Sequence, residues 1–200
     1  MKTMTTMMAA ATLALGAAGS ALADPAYPDS GTINPVSYTF EAVATGDVKA
    51  YFLGSDAGDT DLVYWSVGNG PINTAGFDNH ASTRGASTID LGSLTAGEKV
   101  TFYMYNTVTK DTYSTGGMSN TDGISHVYST DFAGDDTSAI TIPEGTFIAF
   151  EDLPKGNSDY DYNDVAFSVT NIVAVPEPAN MALLLAGLGL VGFMARRRRG

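Results

Sequence analysis

Val100-Thr101-Phe102-Tyr103-Met104-Tyr105 places Val100, Phe102 and Met104 on one face and Tyr103 and Tyr105 on the other. A period of two is the signature of a β-strand, whose successive side chains leave opposite faces of a sheet. Working outward, Tyr38, Phe40 and Ala42 alternate with polar residues before the turn Thr45-Gly46-Asp47, and the run Val48 to Leu53 follows. That spacing predicts a hairpin. Leu62 to Val67 reads as a strand closed by Gly68-Asn69-Gly70-Pro71, and Thr88 to Leu91 as a short one. Further strands are expected at His126 to Tyr128, Ala139 to Ile142, Thr146 to Glu151 and Asp164 to Ile172. In the last, Val165, Phe167 and Val169 oppose Ala166, Ser168 and Thr170. Residues 69–87 and 109–123 are polar and read as loops. Helical periodicity is missing between Asp24 and Val175. About nine short strands divided by Gly, Asp, Asn and Ser turns predict an all-β fold. The expected form is an antiparallel, jelly-roll-like β-sandwich over residues 36–174, preceded by a flexible leader at 24–35.

Both ends of the chain differ in character from this middle. Lys2 precedes an apolar stretch from Met7 to Leu22, closed by Ala21-Leu22-Ala23. A short apolar core ending in A-x-A is the pattern of a signal peptide, so residues 1–23 are expected to direct export, with signal peptidase cutting after Ala23. Residues 179–195 hold no charge and are rich in Leu, Gly and Ala, and Arg196, Arg197, Arg198 and Arg199 follow. As a helix this segment reaches about 25 Å, a short but workable membrane span. The arginines hold its far end on the cytoplasmic side, which leaves the preceding domain outside.

Just before that span stands Val175-Pro176-Glu177-Pro178. Its prolines forbid a helix interior and bias the chain to an extended hinge. The ordered set of V-P-E-P, an apolar span and a terminal arginine block resembles the PEP-CTERM sorting signal over residues 175–200. The resemblance implies processing by an exosortase, a membrane-embedded cysteine protease of bacteria that make extracellular polysaccharide. The precursor would be anchored transiently in the inner membrane, and the mature domain released or attached at the cell surface.

Residues 24–175 carry 21 of the chain's 22 acidic residues but 5 of its 10 basic ones. So acidic a surface repels nucleic acid and anionic membranes and is suited to cations. Cysteine is absent, although the compartment permits disulfides, so stability must come from the core and from any bound metal.

Acidic residues are densest in Phe150-Glu151-Asp152-Leu153-Pro154-Lys155-Gly156-Asn157-Ser158-Asp159-Tyr160-Asp161-Tyr162-Asn163-Asp164. Glu151 and Asp152 end one expected strand while Asp159, Asp161, Asn163 and Asp164 lead into the next, so a hairpin would bring them together. Crowded carboxylates repel unless a cation or water intervenes. Oxygen ligands on a turning loop suit Ca²⁺; Zn²⁺ would want His or Cys, and Mg²⁺ a tighter octahedron. The alternative is that Asp and Asn cap turns here and keep an edge soluble. Asp159-x-Asp161-x-Asn163 matches the opening of an EF-hand loop, but Asp164 stands where glycine is needed, and the flanking helices and closing Glu are lacking.

From Phe150 to Phe167 the segment also resembles a domain of unknown function found in exported bacterial proteins, marked by Phe-Glu-Asp, a Gly-containing loop and Asp-x-Asp-Tyr-Asn-Asp before an apolar strand. Ala149 stands where that pattern often has glycine. The resemblance implies a β-sandwich with a calcium site, for which Glu151, Asp152, Asp159, Asp161, Asn163 and Asp164 are the candidate ligands.

Catalytic motifs are not evident. His80 and His126 are the only histidines and are expected to be surface or loop residues, and neither H-E-x-x-H, a nucleophile elbow nor a phosphate-cradling glycine loop occurs. The leading expectation is therefore a non-enzymatic surface or matrix protein, stabilised by calcium and associated with extracellular polysaccharide in a biofilm. One alternative is a carbohydrate-binding module that stacks sugars on Trp65, Tyr103 and Tyr105. Another is a secreted hydrolase using a carboxylate pair such as Glu151 and Asp161.

Overall fold

The computed structural model describes residues 24–116, 120–137 and 139–176. Signal cleavage at Ala21 and Ala23, the span 179–195, and sorting residues Glu177, Pro178 and Arg196 to Arg199 lie outside them.

Among the described residues the fold is all-β and antiparallel, as the alternation predicts. One sheet orders β13 (Ile172–Pro176), β1 (Tyr38–Ala42), β6 (Lys99–Asn106), β3 (Asp61–Val67) and β4 (Asn73–Asp78), with β7 (Thr112–Ser114) also paired to β6. The other orders β5 (Thr88–Leu94), β2 (Gly46–Gly54), β12 (Val165–Val169), β11 (Gly145–Phe150) and β8 (Val127–Phe132). A small ribbon of β9 (Asp135–Asp136) and β10 (Thr141–Ile142) stands apart.

The two inner faces close on an aromatic centre. Phe167 of β12 meets Phe102 at 5.1 Å, Phe77 at 5.7 Å and Phe150 at 6.3 Å between ring centroids, so one side chain links both sheets. These tilted, edge-on and stacked ring pairs add roughly 0.5–1.5 kcal/mol each beyond their area burial. Val165 and Val169 are fully buried beside Phe167. The opposite face of the same strand is buried too: Ala166 packs with Leu53, Phe132, Ile142, Phe147 and Ala149 in a second cluster. Ala149 is fully buried there, so the methyl at the position where the family pattern often has glycine fills core.

Several expectations are corrected. The runs Tyr38–Ala42 and Val48–Leu53 do not form a hairpin: β1 pairs with β13 and β6, whereas β2 pairs with β5 and β12. The intervening turn carries the chain from one sheet to the other, because each run presents its apolar face to the same core from opposite sides. Residues 69–87 contain a strand, β4, whose exposed positions 73–76 give no apolar signal and which is held by its backbone pairing to β3. Gly76 is required there, since a Cβ would sit 1.5 Å from the Val63 carbonyl oxygen. Residues 109–123 likewise contain β7.

The segment expected as a flexible leader packs down instead. Tyr27 lies edge-on to Tyr162 and Tyr128, and Asn34 is buried with its amide on the Val127 carbonyl at 2.9 Å. Arg84 grips both carboxylate oxygens of Asp24, at 2.6 and 2.8 Å, while also reaching Asp135. At the other end β13 runs past residue 174, pairing Val175 with Thr39 and Pro176 with Tyr38. The first two residues of the sorting motif thus belong to the sheet edge rather than to a separate hinge.

Candidate metal centre

Strand pairing makes the site. Phe150 at the end of β11 faces Val165 at the start of β12, so Glu151 and Asp152 emerge opposite Asp164. The backbone N–H of Asp152 donates to Oδ2 of Asp164 at 2.8 Å. The residues between them turn through two left-handed positions, Tyr160 and Tyr162, each with φ of 54°. Non-glycine residues seldom adopt that conformation, and contacts hold it here. Tyr162 is buried; its hydroxyl donates to the Ser125 carbonyl at 3.1 Å and accepts from the Asn34 N–H at 2.8 Å. Its own N–H points at Oε2 of Glu151 at 3.4 Å.

Two carboxylate groups result, and Glu151 belongs to both. Glu151, Asp152 and Asp164 bring one oxygen each within 4.8 Å of one another, and so do Glu151, Asp159 and Asp161. Each of the five expected carboxylates falls in one group or the other, but the five do not converge on a single point. Asn163 is exposed beside them, its side-chain amide donating to Oδ2 of Asp161 at 2.7 Å. Glu151 and Asp152 are 2 % and 4 % exposed, far less than residues of a solvated turn.

Burial dominates the electrostatics. It pushes the Asp164 carboxyl up to about 9, with repulsion from Glu151 and Asp152 adding to it. Glu151 is pushed up to about 6 by burial against the counter-pull of Ser158 and Tyr162, and Asp152 and Asp161 are raised for the same first reason. A carboxylate in this position is stable only as the acid or beside a cation. The donor set consists of hard oxygens, which fits Ca²⁺.

Residues that sequence reasoning did not single out complete the surroundings. Asp61, the first residue of β3, is fully buried, and burial followed by repulsion from Asp152 pushes it up to about 8. Asn106, the last residue of β6, donates its amide to Asp59 at 3.0 Å and to Asp152 at 3.1 Å. A polar residue continuing the inward series Val100, Phe102, Met104 was the signal available.

His126 corrects the expectation of a surface residue. It is fully buried, lies flat on Tyr113 with ring centroids 3.6 Å apart, and bonds the Glu151 carbonyl and the Asp122 carboxylate, both at 2.9 Å. It braces the backbone behind Glu151. Burial would push Asp122 up, but the Lys155 N–H and His126 together hold it below its ordinary value. His80 is an exposed turn residue, as expected.

Comparison with known families bears on the same stretch of chain. Residues 94–171 match the family model of a domain of unknown function, DUF4114, and residues 174–199 match the PEP-CTERM protein-sorting motif. The chain carries a DUF4114 domain and a PEP-CTERM tail. The DUF4114 match spans β6 to β12 and takes in the whole acidic loop, while β1 to β4 of the sandwich precede it. The PEP-CTERM tail supports an exported, membrane-anchored precursor that is sorted by an exosortase. Neither a curated protein nor a solved structure matches the chain.

Proposed function

We propose that the mature protein is a non-enzymatic component of the cell surface or extracellular matrix whose sandwich is held by Ca²⁺ in the DUF4114 loop. The observation that carries this reading is Glu151, a carboxylate only 2 % exposed that is shared by two converging acidic groups. Glu151, Asp159 and Asp161 would hold the ion, with Asp152 and Asp164 behind them and Asn163 at the rim. Calcium would lock the left-handed loop at the cost of dehydrating one ion. The acidic surface keeps the delivered domain soluble, and the PEP-CTERM tail supports its place at the envelope of polysaccharide-producing cells.

The calcium reading is tested by calorimetric titration of the purified protein and by its melting temperature with Ca²⁺ and with chelator. Binding to the native state should raise the transition by mass action. An Asp159→Ala, Asp161→Ala variant that keeps the full response would overturn the assignment. Sorting is tested by the mature mass in cells with and without the exosortase; an intact C-terminus in both would exclude processing.

A carbohydrate-binding role has one observation in its favour. Tyr64 and Tyr103 stand directly opposite each other on β3 and β6, beside Tyr105, and all three are half-buried. Trp65 is a poorer platform, because it packs against the core. Retention on polysaccharide that is lost on Tyr103→Ala would favour this reading.

A further inference from the structure

The match to the sorting motif starts at residue 174, whereas β13 extends to Pro176. The start of the motif is therefore also sheet. Ala174, Val175 and Pro176 stand opposite Phe40, Thr39 and Tyr38 of β1. Ala174 is partly buried and packs against the core, and the backbone of the segment faces β1 along one edge. The other edge has no strand beside it among the described residues, because β13 closes its sheet. An edge strand is one of the few sheet positions that admit proline, which has no N–H for a ladder.

β13 is held unevenly along its length. At its start Ile172 is buried, its carbonyl accepts the Thr146 hydroxyl at 2.6 Å, and the side chain of neighbouring Asn171 bonds both the N–H and the carbonyl of Ala44. Toward its end cover is lost: Pro176 is exposed, and the Thr39 hydroxyl reaches the Val175 carbonyl only at 3.4 Å. Strands open most readily where burial and bonding are least, so residues 174–176 can leave β1 while Ile172 stays in place.

Given the sorting by an exosortase proposed above, we infer that β1 and the exosortase compete for the same residues: the enzyme takes the motif as a strand released from β1, and the hold of that sheet edge sets the rate of processing. Reach favours release. With Pro176 paired, Glu177 and Pro178 alone separate the sheet from the expected span at 179, which is at most about 7 Å of extended chain. Freeing residues 174–176 adds about 10 Å. Cleavage of a segment that opens and closes quickly follows the population of its open form.

Cross-links in the full precursor, expressed in cells with and without the exosortase, test this, and the cysteine-free chain makes them specific. Thr39→Cys with Val175→Cys ties the motif to β1, whereas Glu41→Cys with Val173→Cys, a facing pair nearer the start of β13, ties the strand outside the motif. The first precursor should accumulate unprocessed when oxidised and be processed on reduction; the second should be processed at the wild-type rate in both states. A short Gly-Ser insertion after Val173 holds the motif clear of β1 and should speed processing severalfold, an arm that stands even where Val175→Cys itself spoils recognition. Processing of the oxidised Thr39→Cys, Val175→Cys precursor at the wild-type rate, or a wild-type rate for the insertion, would overturn the inference. A wild-type tail that stays intact with the enzyme present would instead remove the sorting reading, and this competition with it.

Discussion

The backbone N–H of Asp152 donates to Oδ2 of Asp164 at 2.8 Å, so the residues leaving β11 and entering β12 are tied together before any ion is considered. The acidic loop hangs from this bond. Its consequences can be measured.

Without metal, stability should fall as pH rises. Asp164, Asp61 and Glu151 have folded-state values pushed up to about 9, 8 and 6. The folded chain therefore keeps protons that the unfolded chain releases. Their contribution is complete below the usual carboxylate range near 4 and is lost as pH climbs through those three values. Asp122, held below its ordinary value, acts in the opposite sense at acid pH. Melting in chelator should be highest near pH 5 and lowest near pH 9, and excess Ca²⁺ should restore most of the loss. A curve that is the same with and without Ca²⁺ would contradict the metal reading.

Replacing His126 by Phe keeps a ring against Tyr113 but removes the two ring nitrogens that bond the Glu151 carbonyl and the Asp122 carboxylate. The expected cost is about 2–4 kcal/mol in urea unfolding. Calcium affinity should drop as well, since Glu151 loses its backing. An unchanged midpoint would reduce the ring to filler.

Tyr162→Phe removes the hydroxyl that joins Asn34 to Ser125. A loss of about 1–3 kcal/mol is expected, from two buried backbone groups left unpaired. The variant's calcium-bound form should be closer to wild type than its chelated form, because the ion holds the same loop.

Arg84→Ala should free the segment before β1. Arg84 is the side chain through which Asp24 and Asp135 meet. Limited proteolysis within residues 24–35 should quicken severalfold, while global stability changes by only about 1–2 kcal/mol. Equal cleavage rates would mean that Tyr27 alone anchors the segment.

Much of this was legible in the chain. Phe102 and Phe167 are identified as inward residues by period-two alternation, because a strand has only two faces and one of them must be apolar. Glu151 to Asp164 form a recognisable group because the residues that approach one another flank a single hairpin. Strand pairing is another matter. β1 and β2 are neighbours in sequence with matching patterns, yet they enter different sheets, and alternation carries no information about the partner. β4 was hidden because an edge strand can be held by backbone bonds while its side chains stay polar.

By itself the sequence determined the all-β class, the acidic and cysteine-free character, the sorting tail and the loop carboxylates, since these follow from local periodicity, composition and short spacing. Only the tertiary structure brought Asp59, Asp61 and Asn106 to Asp152 across some fifty to ninety residues of chain, and buried His126 behind Glu151. Burial and long-range proximity are properties of the packed sheets. A lone Asp at the head of a strand looks the same in sequence whether it meets water or the inside of a sandwich.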